Sequence, residues 1–354
     1  MTLECSFQVG PLRVGEGVPP RVIAEIGVNH NGSEPLARRM VRAAARAGAD
    51  FAKFQTFRAE ALVASGAPKA MYQARRGTPG ADQREMLRRY ELPPAAFLRL
   101  KGACKAARVG FLATPFEEPS LRFLVAEAKV PAIKVSSDNL TNLPFLRAVA
   151  KAGLPVFLST GMGNLQDVQE AVRAVRSAGN RRLVLFQCTS NYPARIEDAN
   201  LRVLETYRRE FGCLVGLSDH TPGTFAASLA VALGACVIEK HFTTDRTLPG
   251  PDQTASLDPT EMAALVRDVR KAWEAMGDGR KRLQPSERAI RRVAGRSLVY
   301  AHDMKAGSPL RGSDLLAKRP GTGVPPSRKD ALVGRRLLRS VRSDALLREG
   351  DLAQ

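Results

Sequence analysis

The 354-residue chain is poor in the residues that mark several protein classes. Its five cysteines are dispersed without a Cys-x-x-Cys pair, which disfavours a disulfide framework or a zinc cluster and favours reduced thiols in a cytoplasm. No apolar run is long enough to cross a bilayer, and the first residues, MTLECSFQVG, lack the pattern of a secretory signal. We therefore expect a cytoplasmic protein without a membrane partner.

Acidic residues are also scarce relative to basic ones. The chain has 54 Lys and Arg against 35 Asp and Glu, a formal net charge of +19. Aromatic residues make up only 6% and are not interleaved with the basic ones, so platforms for base stacking are lacking. The pattern favours solvated basic faces, which can steer anionic substrates, over specific nucleic-acid binding.

Short apolar runs alternate with alanine- and leucine-rich segments of helical periodicity, several of which end in glycine. About eight such units in roughly 250 residues predict a (β/α)8 TIM barrel. A doubly wound sheet is the alternative, but no G-x-G-x-x-G motif follows the first strand. The predicted strands lie at residues 21–30, 50–57, 110–116, 132–137, 155–160, 182–190, 213–220 and 235–242.

The composition changes near residue 280, where the chain becomes rich in glycine, proline and charge. We predict a barrel domain over 1–280, a linker over 281–292 and a small, mostly β domain over 293–354. The last part is too short to bury a large core, so we expect it to pack on the barrel or on another subunit.

Every predicted barrel strand ends in polar residues. In a TIM barrel these strand ends meet at one mouth, where active sites are built. Each hydroxyl taken alone is equally consistent with a helix cap, and each lysine with a surface position. The strand-end side chains with chemistry of interest are Glu25, Lys53, Gln55, Thr114, Lys134, Ser137, Ser159, Ser218, His220 and His241.

Two of the four histidines end successive predicted strands, as LSDH and EKH. His220 and His241, beside Asp219 and Glu239, are well placed to share one metal ion. The alternative is a pair of histidines hydrogen-bonded within a packed barrel end.

Nine stretches of the chain form a recognisable set: IAEIGVNHNG, AKFQTFRAEALV, APKAMYQ, FLATPFEEPS, LSTGMGNLQDVQEAV, CTSNYPA, VGLSDHTPG, ALGACVIEKHFT and PGPDQTASLDP. Taken together, they resemble the sialic acid synthase family, which includes the legionaminic and pseudaminic acid synthases. A later segment, KRPGTGVPPS, is similar to the C-terminal antifreeze-like (SAF, β-clip) domain of that family.

The resemblance implies a TIM barrel with a SAF domain in a domain-swapped homodimer. It implies condensation of phosphoenolpyruvate with an N-acylated amino-sugar aldehyde, either N-acetylmannosamine or a 2,4-diacetamido-6-deoxy hexose. The product is a nine-carbon 2-keto acid, released with phosphate, and the cofactor is a divalent metal, Mn²⁺ or Mg²⁺.

The resemblance also implies roles for individual residues. Lys53, Thr114, Lys134, Ser137, Ser159 and Ser218 would surround phosphoenolpyruvate. The metal would bind His220 and His241, and the sugar would contact Gln55, Tyr192 and Asp252. Arg319 would reach into the partner subunit's barrel, unless it is only a surface arginine. Glu25 is a candidate base for water, with structural pairing to a lysine as the alternative.

One stretch departs from the family. After Lys134, many relatives have Ser-Gly-Glu, whose glutamate contacts the sugar, whereas this chain has Ser137, Asp138 and Asn139. A neutral amide cannot supply the missing charge. We therefore expect an acceptor other than plain N-acetylmannosamine. The competing functions are another phosphoenolpyruvate-dependent aldol synthase of the barrel class and an inactive protein that binds carbohydrate or polyanions.

Overall fold

The computed structural model describes residues 3–69 and 80–353. The chain divides into two compact units, Met1–Gly277 and Asp278–Gln354. Among the described residues, no helix combines the length and the apolar character needed to cross a membrane.

The first unit is built on eight parallel strands. In spatial order the sheet runs β5-β4-β3-β10-β9-β8-β7-β6, and its two outer strands, β5 and β6, lie side by side, so the sheet is a nearly closed barrel. The predicted barrel is confirmed, because each of the eight apolar runs forms one strand. These strands are β3 (Arg21–Gly27), β4 (Phe51–Thr56), β5 (Gly110–Pro115), β6 (Ile133–Val135), β7 (Val156–Ser159), β8 (Leu183–Cys188), β9 (Leu214–Asp219) and β10 (Ala235–His241).

Helices follow the strands and cover the barrel. Their starts are set by side-chain caps, as in the capping box of Asn164 with Asp167, which satisfies backbone N–H groups at the first turn. The helices are α1 (Glu34–Arg46), α2 (Ala59–Leu62), α3 (Gln83–Arg88), α4 (Pro94–Ala107), α5 (Glu118–Ala126), α6 (Leu143–Lys151), α7 (Leu165–Ser177), α8 (Val203–Phe211), α9 (Phe225–Ala232) and α10 (Pro259–Met276).

An antiparallel hairpin precedes the barrel, and the sequence analysis did not predict it. It consists of β1 (Ser6–Val9) and β2 (Leu12–Gly15). Phe7, Val9 and Val14 pack against inward-facing barrel residues such as Phe157 and Phe186. The hairpin therefore fills the amino-terminal end of the barrel interior with apolar side chains.

The second unit is small and has its own apolar core around Leu298, Tyr300 and Leu315. Its strands β11 (Ser297–Tyr300) and β12 (Leu315–Lys318) pair antiparallel. Part of the segment predicted as a linker forms the short helix α11 (Arg288–Ala294).

Candidate active site

A cavity of about 510 Å³ lies at the carboxyl ends of the barrel strands. Twelve of the thirteen residues predicted for the site line it; the remaining one, Arg319, is exposed in the second unit. Residues 70–73 of the APKAMYQ motif lie outside the described residues. The twelve lining residues are Glu25, Lys53, Gln55, Thr114, Lys134, Ser137, Ser159, Tyr192, Ser218, His220, His241 and Asp252.

Four buried charged side chains form the floor of this cavity. Lys53 Nζ lies 2.8 Å from Glu25 Oε2 and 3.7 Å from Glu239 Oε1. Lys134 Nζ lies 3.6 Å from the same Glu239 oxygen. Glu239 thus bridges the two lysines, and the formal charges of the four groups sum to zero. We call these four residues the charged floor.

The pKa values of the charged floor follow from burial and from this pairing. Burial raises the pKa of Glu25, and Lys53 offsets this only in part. Burial alone would also raise the pKa of Glu239, but Lys134 and Lys53 outweigh burial and lower this pKa. Burial lowers the pKa of Lys134, whereas Glu239 and Glu25 more than compensate for burial at Lys53 and raise its pKa.

Hydroxyl groups from other strands surround the lysines. Lys53 Nζ donates to Thr114 Oγ1 at 2.9 Å, and Lys134 Nζ donates to Ser159 Oγ at 2.5 Å. Ser218 Oγ donates to Glu239 Oε1 at 3.2 Å, and Ser137 Oγ accepts from the Gly161 N–H at 2.9 Å. Two ammonium groups and several hydroxyls within one cavity form a site suited to a compact polyanion.

The two strand-end histidines lie together at one side of the cavity, with ring centroids 5.5 Å apart. His220 Nδ1 donates to the Thr189 carbonyl oxygen at 2.7 Å, so Nε2 carries the lone pair whenever the ring is neutral. Burial lowers the pKa of His220, but the neighbouring Cys188 more than reverses this and raises it. His241 Nδ1 has no hydrogen-bond partner among the described residues, and Asp252 Oδ2 lies 3.8 Å from it. Burial lowers the pKa of His241 to about 4, so this ring is neutral at neutral pH.

This donor set fits a divalent cation held by the two imidazoles. The orphaned Nδ1 of His241 and, in the neutral form of its ring, Nε2 of His220 supply lone pairs, and neutral imidazole is a common metal ligand. In the part of the chain that the structure describes, no cluster of three or more His, Cys, Asp or Glu is arranged for a metal. A site with two protein ligands keeps positions open for substrate and water, as catalytic centres do.

Asp219, the sequence neighbour of His220, does not face the cavity. Its carboxylate is paired with Lys240, and neither residue lines the cavity. Side chains alternate along a strand, so Ser218 and His220 face inward while Asp219 faces outward. By the same alternation Glu239 faces inward with His241.

Part of the cavity lining is apolar. A small cluster of side chains, separate from the main core, forms it; we call it the apolar wall. Its members that line the cavity are Val28, Phe57, Leu62, Leu87 and Phe116. A bound molecule therefore meets both ionic groups and hydrocarbon in this cavity.

Asp138 and Asn139, where the chain departs from the family, have different surroundings. Asn139 is buried, its Nδ2 donating to the Phe116 carbonyl at 3.2 Å and its Oδ1 accepting from Asn142 at 2.9 Å. It fastens the loop and does not line the cavity. Asp138 does line it, accepts a hydrogen bond from the Ser136 hydroxyl, and forms no ion pair among the described side chains.

Glu239 and Cys188 line the cavity and were not predicted as site members. Glu239 was noted only as a neighbour of His241, although the alternation along β10 places both on one face. Cys188 lines the cavity 3.9 Å from His220 Nδ1. Burial raises the pKa of its thiol, but His220, Ser137 and Lys134 reverse this and bring it to about 7. No sequence signal singled it out among the dispersed cysteines.

Comparison with known proteins agrees with this architecture. The NeuB family pattern matches residues 40–281, and the SAF domain pattern matches residues 295–353. The chain belongs to the NeuB family. The predicted resemblance to the sialic acid synthases and the predicted SAF domain are both confirmed.

Relatives with assigned names cover nearly the whole chain. The N,N'-diacetyllegionaminic acid synthase of Legionella pneumophila is 42% identical over 340 residues, which span 93% of this chain and 95% of that protein. The synthase of the same name from Campylobacter jejuni is 39% identical, over 93% and 98%. A solved N-acetylneuraminic acid synthetase from Leptospira borgpetersenii, in complex with citrate, has a TM-score of 0.71 and 33% identity, covering 82% of this chain and 96% of that one. The chain is thus a synthase of the sialic acid type.

Proposed function

We propose that this synthase condenses phosphoenolpyruvate with an N-acylated amino-sugar aldehyde, giving a nine-carbon 2-keto acid and phosphate. The observation that carries the proposal is the meeting of two buried lysines, four hydroxyls and two histidines in one cavity. The names of the relatives support the same reaction class.

Phosphoenolpyruvate would bind at the charged floor. Its phosphate and carboxylate would replace the carboxylates of Glu25 and Glu239 as partners of Lys53 and Lys134. The hydroxyls of Thr114, Ser137, Ser159 and Ser218 would donate to its oxygens. Because the charged floor is already neutral, the bound substrate would bring excess negative charge, which a divalent cation nearby would offset.

His220 and His241 would hold that cation, Mn²⁺ or Mg²⁺. When bound it supplies Lewis acidity, which polarises the aldehyde carbonyl of the sugar. Asp252, Gln55 and Tyr192 would orient the sugar so that its aldehyde carbon faces the methylene carbon of phosphoenolpyruvate. The new C–C bond would form between these two carbons as the C=O π bond breaks, and the aldehyde oxygen would take up a proton and become a hydroxyl.

Water completes the reaction. Bond formation leaves C2 of the former phosphoenolpyruvate electron-deficient, and water adds there with loss of a proton. Glu25 is the proposed acceptor of that proton, since its buried carboxylate lines the cavity. The tetrahedral centre then collapses, the C2–O bond to phosphate breaks, and the keto group forms.

The test is a coupled assay on the purified full chain with phosphoenolpyruvate, Mn²⁺ and a panel of amino sugars. We expect phosphate release that depends on both the sugar and the metal, with a nine-carbon acid detected by mass spectrometry. Absence of phosphate release with every sugar would reject the proposal and favour a binding protein.

We further propose that the acceptor is a 2,4-diacetamido-6-deoxy hexose. The apolar wall suits the methyl groups of two acetyl substituents and of C6, of which N-acetylmannosamine has only one. Asp138, which lines the same cavity, would offer a carboxylate to an amide N–H of the sugar. The two diacetyllegionaminic acid synthases among the relatives support this choice.

Asp138→Ser should raise KM for the diacetamido sugar about 10-fold, because a hydrogen bond to a charged group is worth about 1.5–3 kcal/mol. The kcat value and the KM for phosphoenolpyruvate should change little, since Asp138 is not part of the charged floor. Steady-state kinetics with both acceptors measures this. Asp138→Asn is the isosteric control, expected to lose less because the amide oxygen still accepts. An unchanged sugar KM in Asp138→Ser would rule out this contact. If the unmodified enzyme turns over N-acetylmannosamine fastest, the proposed acceptor is wrong.

The assembly is also part of the proposal. We propose a domain-swapped cytoplasmic homodimer in which Arg319 of one subunit serves the cavity of the other. Its position on the Pro-Gly loop of the SAF domain, exposed to solvent, is compatible with such a reach. Analytical ultracentrifugation tests whether the protein is a dimer. Mixing Arg319→Ala subunits with Lys53→Met subunits tests whether the cavity is shared, and recovered activity in the mixture supports a shared cavity.

A further inference from the structure

A buried ion pair lies directly beside both histidines, on the outer face of the barrel. Lys240 Nζ is 2.7 Å from Asp219 Oδ2, and each side chain is only 1% exposed. The two residues are register partners across β9 and β10. Neither lines the cavity, so this pair has no place in the chemistry proposed above.

The surroundings of the pair are apolar. The preceding outward positions on the same two strands, Leu217 and Ile238, belong to the main hydrophobic core. Charges in such a place are unfavourable unless their hydrogen-bonding groups are satisfied. An apolar pair of similar volume would pack against this face at least as well, so hydrophobic packing does not account for the charges.

Thr221 completes the arrangement. Asp219 Oδ1 accepts from the Thr221 N–H at 2.9 Å and from Thr221 Oγ1 at 2.7 Å. Lys240 Nζ also donates to the Thr221 carbonyl oxygen. The amide, the hydroxyl and the carbonyl of this one residue are therefore all fixed by the ion pair.

The two histidines are sequence neighbours of the residues that make these contacts. His220 lies between Asp219 and Thr221 in the chain, and His241 directly follows Lys240. The backbone of His220 is held further by the Ala194 N–H, which donates to its carbonyl at 2.9 Å. The ion pair thus ties together the two strand ends that carry the imidazoles.

We propose that Asp219 and Lys240 are positioning residues that fix the separation of His220 and His241 for one divalent cation. This inference rests on the proposed function, in which those histidines hold the metal. Hydrogen bonds are directional, so those of Asp219 and Lys240 fix the distance between the two strand ends more closely than apolar contacts would. Residues behind metal ligands commonly change metal affinity about 10- to 100-fold when replaced.

The decisive variant is Asp219→Leu with Lys240→Met, which removes both charges and leaves neither unpaired. We expect it to fold with a lowered melting temperature, because the buried amide, hydroxyl and carbonyl of Thr221 lose their partners. Its Kd for Mn²⁺, measured by the electron paramagnetic resonance signal of free Mn²⁺, should rise about 10- to 100-fold. Its metal-free Kd for phosphoenolpyruvate should stay within about threefold. An unchanged Mn²⁺ Kd overturns the inference.

A matched control is the ion pair between Arg270 and Asp50, also 2.7 Å long, where Asp50 precedes β4 at the other end of the barrel. Arg270→Met should lower the melting temperature without weakening Mn²⁺ binding. An equal loss of Mn²⁺ affinity in this control would show general loosening and overturn the positioning role. If the double variant does not fold, Asp219→Asn replaces it. We expect this variant to have a Mn²⁺ Kd raised several-fold, and an unchanged Kd would contradict the positioning role.

His220→Ala and His241→Ala separate this inference from the proposed function. If the unmodified protein binds no Mn²⁺, or binds it as well without either histidine, the proposed metal site fails and the positioning role fails with it. If the histidine variants lose Mn²⁺ and the double variant keeps it, only the positioning role fails.

Discussion

Replacing His241 by alanine is expected to abolish condensation while the fold and phosphoenolpyruvate binding persist. The imidazole contributes a ligand to the proposed metal, and the lost Lewis acidity is worth several kcal/mol, or a fall in kcat of about 10³-fold. His220→Ala should behave alike. Lys53 and Lys134 are held by carboxylates and hydroxyls and not by either ring among the described residues, so the Kd for phosphoenolpyruvate should stay within about threefold of its original value.

Rapid-quench turnover and calorimetric titration of phosphoenolpyruvate together measure this outcome. Circular dichroism melting shows whether the barrel is intact. His302→Ala is the matched control, since that imidazole is 57% exposed in the second unit and belongs to no proposed site. Turnover within tenfold of the unmodified enzyme in either strand-end variant would refute the two-histidine centre.

Lys53→Met is expected to weaken phosphoenolpyruvate binding by about 100-fold or more, as the loss of a buried charge-assisted contact predicts. It should also lower the free energy of unfolding by about 3–5 kcal/mol. The reason is the charged floor: Glu25 loses its partner at 2.8 Å, and Glu239 keeps only Lys134. One buried carboxylate is then left without compensation.

The two effects of Lys53→Met can be separated. Adding Glu25→Gln removes the uncompensated charge and leaves an amide that can still meet Gln55, so urea unfolding should recover most of the lost stability. Phosphoenolpyruvate binding should stay weak, because the ammonium group is still missing. Recovery of binding in the double variant would show that Lys53 acts through stability alone. Lys101→Met, which removes a lysine that donates to the Ala128 carbonyl outside the cavity, is the control.

The eight barrel strands could be predicted because each apolar run is bounded by turn residues and ends in polar ones. The gathering of Lys53, Lys134, His220 and His241 followed from that prediction, since parallel strands in a barrel share one mouth. The hairpin Ser6–Gly15 could not be predicted with the same ease. Its strands are four residues each and carry few apolar side chains. These side chains become buried only by packing against the barrel interior, which a local pattern does not reveal.

The remaining differences arise from orientation within a strand. Asp219 and His220 are adjacent in sequence, yet one faces the helices and the other the cavity, so the sequence neighbours of a site residue are poor guides to its partners. Asn139 is a comparable case. Its fastening to the Phe116 carbonyl depends on two loops that are distant in the chain, and no local pattern signals it.

The hairpin limits how molecules can enter and leave the barrel. Phe7, Val9 and Val14 close the amino-terminal end, so the barrel interior opens at one end only as far as the described residues define it. Whatever reaches Lys53 and Lys134 must therefore pass the mouth. In the proposed reaction, phosphate and the keto acid would leave by the same opening, so accumulated keto acid is expected to compete with the incoming substrates.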